Sequence, residues 1–169
     1  MTPDIFWIPG PWPGRLAVSA RPRGGDWLDD ELREWRSAGI DVVVSLLTAE
    51  EEQDLSLGDE GRLANQHGIR FISFPIVDRG VPSSIQTVVG LIGDLRHSLE
   101  TGRNVAIHCR QGLGRSPLIA AATLVNAGVD PQSAFKTVGA ARGVTVPETP
   151  EQQNWLEKVL MNHLALARH

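Results

Sequence analysis

The chain's 169 residues, 41% of them hydrophobic, suit one domain spanning 1–169 with a sizeable core. The net charge of −4 and a clearest charge run that is acidic (50–60) argue against a nucleic-acid partner, which calls for a basic face. No apolar run approaches the roughly 20 residues that span a bilayer, so no membrane partner is expected, and the single cysteine excludes an intramolecular disulfide and any all-cysteine metal site.

Residues 1–14, with Pro3, Pro9, Pro11, Trp7 and Trp12, read as an extended arm packed on the body. They lack the basic head and apolar core of a signal peptide. Residues 16–19 read as a first strand and 22–25 as a turn. Asp26 is placed to cap a helix whose Leu28, Leu32 and Trp35 share one face and which Gly39 closes. The β-branched run 40–47 reads as a buried strand. The acidic run 50–60 reads as a solvated loop or helix face, with a short helix over 60–67 that Gly68 stops before a strand over 69–76. Residues 77–82 form a loop by their glycine and proline. Ser83 and Gln86 have capping-box spacing and open a helix that turns Ile85, Val88, Val89, Ile92, Leu95 and Leu99 inward. A strand over 105–109 follows, then a helix from about Pro117 to Gly128. Asp130 with Pro131 caps another helix to about Ala141. Thr149 with Pro150 starts the last, which carries Trp155, Leu156, Val159, Leu160 and Leu164. Strands alternating with helices predict an α/β layer fold, a central and mostly parallel sheet flanked by helices.

The densest chemistry lies in His108-Cys109-Arg110-Gln111-Gly112-Leu113-Gly114-Arg115-Ser116-Pro117. Residues 109–115 make a tight loop from a strand end to a helix N-terminus. The backbone N–H groups of Arg110, Gln111, Gly112, Leu113 and Gly114 can converge there on one anion, helped by the positive end of the helix dipole. Gly112 and Gly114 let the backbone turn back and approach a ligand closely. Arg115 adds a planar, bidentate grip on a phosphate. A free thiol titrates near pH ~8.5, and a helix N-terminus with a guanidinium lowers that by roughly 2–4 units. Cys109 is then a nucleophile facing a bound phosphoryl group, and Ser116 can hydrogen-bond the thiolate and help it leave. An inert core cysteine is the commoner meaning of a lone cysteine beside a strand; strand, glycines, arginine and helix in register argue against it. The loop lacks the lysine and spacing of a Walker-type nucleotide site.

His-Cys-x5-Arg-Ser resembles the signature of the cysteine-dependent tyrosine and dual-specificity phosphatases. Residues 74–82, Phe-Pro-Ile-Val-Asp-Arg-Gly-Val-Pro, resemble the general-acid loop of the dual-specificity and kinase-associated phosphatases. With the acid ahead of the nucleophile, the order does not fit the low-molecular-weight tyrosine phosphatases. The resemblance implies a dual-specificity-phosphatase-like fold and hydrolysis through a cysteinyl-phosphate intermediate. Cys109 would be the nucleophile, Arg115 the phosphate clamp, Ser116 the thiolate's partner, and Asp78 the acid that protonates the leaving oxygen. It implies no cofactor and no metal. The expected partner is a phosphorylated protein, on tyrosine with serine and threonine left open, and the expected setting is a monomer in the cytoplasm.

Taken alone, Asp78 also suits an Asx-turn or a solvated loop. His108 should point away from Cys109 across the strand and brace the loop through hydrogen bonds. Residues 141–153 resemble the loop whose glutamines position hydrolytic water. Gln152 fits its second glutamine, while Glu148 stands where the first would be. Gln152 is equally the expected partner of a Thr149 capping box, so which residue holds the water stays open. Only Arg110 is basic between Cys109 and Arg115, which disfavours a lipid head group, although Arg79 and Arg142 can supply charge at the rim. The alternatives are a phosphatase of a lipid head group, small metabolite or RNA 5′-end, and a non-catalytic phosphate-binding module.

Overall fold

The computed structural model describes residues 4–167. Its strands are β1 (Ile5–Ile8), β2 (Leu16–Ser19), β3 (Val42–Ser45), β4 (Arg70–Ser73) and β5 (Val105–His108). The helices are α1 (Leu28–Ser37), α2 (Ala49–Asp54), α3 (Glu60–Gln66), α4 (Ile85–Glu100), α5 (Arg115–Asn126), α6 (Pro131–Arg142), α7 (Pro150–Asn154) and α8 (Met161–Ala167). A π-helical stretch, Trp155–Leu160, joins α7 to α8.

The strands form one sheet in the order β1-β2-β5-β3-β4, parallel except for β1, which pairs antiparallel to β2. β2, β3 and β5 are buried along their whole length because helices cover both faces. Alternation along the strands divides the core. Val18, Val44 and Ile107 pack with residues of α4, α5 and α6, while Ala17, Val43 and Ala106 pack with Leu28, Leu32 and Trp35 of α1. Truncating a buried leucine or isoleucine of either cluster, such as Leu32 or Ile107, to alanine costs about 2–5 kcal/mol.

The register sets Ser19, His108 and Ser45 side by side at the carboxyl edge of the three central strands. β5 is the middle of the three, so the loop that leaves it emerges over the centre of that edge, where ligands bind in open α/β sheets. Arg115 through Val125 in α5 are all buried, so this helix runs through the core and its N-terminus is fixed behind the loop.

Several boundaries differ from expectation. The strands over 40–47, 69–76 and 105–109 are four residues each, because the ladders between neighbours stop there even where the apolar run continues. Within the described part of the expected arm (4–14), Ile5–Ile8 is a strand at the sheet edge; residues 1–3 lie outside the described residues. Asp26 does not cap α1: it sits inside a 3-10 turn, Gly25–Trp27, and α1 follows without a side-chain cap. α4 is capped by Ser84, which accepts from the Thr87 N–H, and not by Ser83. Val159 is 43% exposed, not inward, since the wider π turn shifts the helix phase at that point. The acidic run 50–60 is not simply solvated: it holds α2 and the start of α3, and Glu51 and Glu60 are buried. Among the described residues, no helix is long and apolar enough to cross a membrane.

Candidate active site

Cys109 follows β5 directly and is 3% exposed. Its Sγ lies 3.3 Å from the Ser116 hydroxyl. Burial pushes the thiol's pKa up, but the Ser116 hydroxyl and N–H, the Arg115 charge and the Gly112 N–H outweigh burial and bring it below its ordinary value. Gly112 adopts φ 75°, and a Cβ there would lie 3.0 Å from the Ser19 carbonyl oxygen, so the turn accepts only glycine without strain. Gly114 caps α5 with backbone alone, leaving the first N–H groups of the helix to the loop.

Arg142 holds this loop from behind. Its guanidinium donates to the Gln111 carbonyl (3.1 Å) and the Gly112 carbonyl (3.2 Å) while stacked over the Phe6 ring at 4.3 Å. It is thus a back brace and not the rim charge expected of it. With those carbonyls occupied behind the loop, the peptide N–H groups are left for the anion side.

Arg115 is 2% exposed and more heavily engaged than a free clamp would be. Glu51 holds it with two bonds, Nη1 to Oε1 at 2.7 Å and Nη2 to Oε2 at 2.9 Å, and Nη1 also donates to the Ile76 carbonyl at 2.8 Å. Asp78, 56% exposed, reaches Arg115 Nη2 at 3.2 Å through Oδ1. Of the five N–H donors of a guanidinium, Nε and the Nη2 hydrogen beside Asp78 remain for a phosphate. Burial raises the Glu51 carboxyl, yet the bonds and charge of Arg115 and the cap at Thr48 bring it below its ordinary value.

A cavity of about 180 Å³ is lined by Cys109, Arg110, Gln111, Leu113, Gly114 and Arg115 from the loop after β5, Asp78 and Arg79 from the loop after β4, and Glu148. The structure thus brings Asp78 and Cys109 to one cavity. Ser116 lies behind the thiol, and Arg110 and Gln111 are exposed at the mouth. His108 faces the opposite side of the sheet, against Trp35. Its Nδ1 is 3.2 Å from the Cys109 carbonyl and its Nε2 is 2.6 Å from Glu60 Oε2. Burial pushes the imidazole's pKa down, but the charge and hydrogen bond of Glu60 carry it above its ordinary 6.5.

Gln152 is buried and forms the Thr149 capping box. Its Oε1 accepts the Glu148 and Thr149 N–H groups at 3.2 Å each, and its Nε2 donates to the Gly80 carbonyl at 3.1 Å. Glu148 pairs with Arg79.

Sequence reasoning missed Glu51, Glu60 and the bracing role of Arg142. Thr48 and Glu51 carry capping-box spacing, and the structure shows both halves of that box. For Glu60 there is no local signal. Among the described residues, no three His, Cys, Asp or Glu side chains are grouped so as to hold a metal ion.

The family model Tc-R-P, described as a polymorphic toxin system DSP-PTPase phosphatase, matches residues 18–129. Cyclin-dependent kinase inhibitor 3 of Sus scrofa is 32% identical over 133 residues, 78% of this chain and 62% of the pig protein. Putative tyrosine phosphatase 197R of Invertebrate iridescent virus 6 is 31% identical over 158 residues, 89% of this chain and 54% of the viral protein. The chain therefore spans about three fifths or less of the length of these curated relatives. Among solved structures, kinase associated phosphatase, in a form with serine at its catalytic-site cysteine, superimposes with a TM-score of 0.87 at 25% identity, covering 100% of this chain and 98% of that one. The active form of Tk-PTP does so at 0.78 and 27% identity, covering 95% and 99%.

Proposed function

The chain belongs to the DSP-PTPase phosphatase family, and from that premise we propose that it hydrolyses phosphomonoesters on proteins through a cysteinyl-phosphate intermediate. The observation that carries this reading is the buried Cys109 thiol, brought below its ordinary pKa by Ser116, Arg115 and the loop N–H groups, on the wall of a cavity that Asp78 also lines.

In the first step a phosphate enters the cradle and takes the Nε and Nη2 edge of Arg115, displacing Asp78 from its ion pair. The Cys109 thiolate attacks phosphorus, the S–P bond forms, and the P–O bond to the leaving group breaks. Protonated Asp78 gives its proton to the departing oxygen. In the second step water attacks phosphorus and passes a proton to Asp78. The S–P bond breaks, and Ser116 stabilises the returning thiolate by hydrogen bonding.

Charge in the cavity favours a protein phosphomonoester over a polyphosphorylated lipid head group. Arg79 is neutralised by Glu148 and Arg115 by Glu51 and Asp78, and Arg110 stands 3.9 Å from Glu51, so every basic side chain of the lining faces a carboxylate. Phosphotyrosine is the first substrate class to test, with phosphoserine and phosphothreonine next. The free single thiol suits a reducing, cytoplasmic setting.

Acid quenching during turnover of radiolabelled aryl phosphate should trap label on Cys109. Cys109→Ser should abolish both label and turnover while still binding vanadate, since the cradle's donors are untouched. Turnover in that variant within about tenfold of the parent would remove Cys109 from the nucleophile's role.

A further inference from the structure

The chemistry needs two loops from different strands to meet. One is the cradle after β5; the other is the loop after β4 that carries Asp78. A third segment, residues 148–152, touches both. On the cradle side, a Cβ at Gly114 would lie 2.9 Å from Glu148 Oε2 and 3.0 Å from Gln152 Nε2, so these two side chains rest directly on the glycine. On the acid-loop side, Glu148 Oε1 pairs with Arg79 Nη1 at 2.9 Å, and Gln152 Nε2 donates to the Gly80 carbonyl at 3.1 Å. Arg79 and Gly80 are the two residues after Asp78. They belong to a turn closed by the Gly80 N–H on the Val77 carbonyl at 2.8 Å, in which Arg79 takes φ 63°. Gln152 cannot swing away, because its Oε1 is held by two backbone N–H groups at the start of α7 and the side chain is fully buried.

We propose that Glu148 and Gln152 are positioning residues that clasp the Asp78 loop to the phosphate loop, Glu148 through Arg79 and Gln152 through Gly80. The inference rests on the reading of Asp78 as the leaving-group acid. It gives the carboxylate at 148 a task that a glutamine there could not perform, since only a charge neutralises Arg79. Neither residue donates a proton to the substrate. The clasp raises the fraction of time that Asp78 stands over the cavity, and the rate falls in proportion when that fraction falls.

The test compares an alkyl phosphate, whose leaving oxygen needs the proton, with an activated aryl phosphate, which needs it little. An exposed ion pair is worth a factor of about two to five, so Glu148→Gln and Arg79→Gln should each lower kcat/KM for the alkyl ester, which reports the steps through loss of the leaving group, by that much. The double variant should lose no more than the worse single. Gln152→Glu keeps the capping acceptor but sets a carboxylate against the Gly80 carbonyl, and should cost about tenfold. The three single variants should leave kcat/KM for the aryl ester nearly unchanged, and Glu148→Gln and Arg79→Gln should also leave the thermal midpoint nearly unchanged. In an Asp78→Asn background they should have no further effect.

Equal losses on both esters, or losses that persist in the Asp78→Asn background, would overturn the clasp. Asp78→Asn by itself separates this from the parent reading. If its own loss is the same for both esters, the acid assignment falls. If it behaves as the acid while the clasp variants leave the alkyl rate untouched, only the clasp falls.

Discussion

Replacing Glu60 by glutamine removes one charge from a pair sealed behind the phosphate loop. Glu60 is 1% exposed, His108 is fully buried, and the two meet at 2.6 Å. Burial alone would push the imidazole below its ordinary 6.5, but the charge and hydrogen bond of Glu60, then the Cys109 carbonyl and thiolate, carry it above. Hydrogen bonds to charged groups contribute about 1.5–3 kcal/mol. Truncation to alanine, which strands a buried charge, costs about 3–5 kcal/mol. Glutamine leaves the ring N–H an acceptor, so the smaller range applies, and a chain of this size should lose roughly 3–12 °C in Tm.

The pH dependence carries the sharper test. A histidine whose folded pKa is raised contributes stability that is fully present below its unfolded value near 6.5 and is lost as pH rises through the folded value. The gap in unfolding free energy between parent and Glu60→Gln should therefore be widest near pH ~6 and narrow on the alkaline side. Glu52, whose carboxyl is raised by burial and by the charge of Glu60, faces the same pair, so the comparison should stay above the carboxylate range. Urea unfolding followed by tryptophan fluorescence across neutral pH gives the measurement. A gap that does not change with pH would refute a charged His108–Glu60 pair.

Glu51→Gln should raise KM for phosphate esters and lower stability at neutral pH. Because the Glu51 carboxyl is held below its ordinary value, the stability it adds is present above the normal carboxylate range and fades as pH falls through the depressed one. The variant's deficit should therefore shrink in acid, as acid-titrated thermal scans would show. Gly112→Ala places a side chain at φ 75° and against the Ser19 carbonyl; it should cost about 1–2 kcal/mol from the left-handed backbone alone and most of the activity, and parental kcat/KM would show that the loop relaxes freely. Asp78→Asn should lower kcat/KM for alkyl phosphates by about two orders of magnitude or more and flatten the alkaline limb of the pH–rate profile. A loss of equal size for good and poor leaving groups would send the search for the acid to another carboxylate.

The chemistry of residues 108–117 was legible because each requirement there is local. A strand ends, glycines turn the chain, an arginine and a helix follow, and all of it lies within one contiguous stretch. The capping boxes at Thr149 and Asp130's cap of α6 were legible for the same reason. Strand ends were not. Ile40, Leu46 and Leu47 are as buried as the strand between them, so an apolar run reports burial, whereas the ladder stops where the four-residue pairing with neighbours stops. The phase of the last helix failed at Val159 because a π turn leaves no mark in a 3.6-residue pattern.

The acidic run marks where composition misleads most. Charged residues in a polar stretch read as solvated, and for Glu50 that holds. Yet Arg115 opens a helix whose first eleven residues are all buried, and a buried guanidinium requires a carboxylate partner. The same reasoning applies to a histidine in the central strand, where every residue is covered. Two buried bases on β5 and α5 thus call for two buried acids, and a sequence can state that demand. Which acids answer it depends on α2 and α3 packing beside the carboxyl edge of the sheet, a contact across 64 residues for Glu51 and 48 for Glu60. Thr48 marks the first through its capping box. The second is set only by the tertiary fold, which is why the residue that charges His108 stayed hidden while the thiol in front of it stood out.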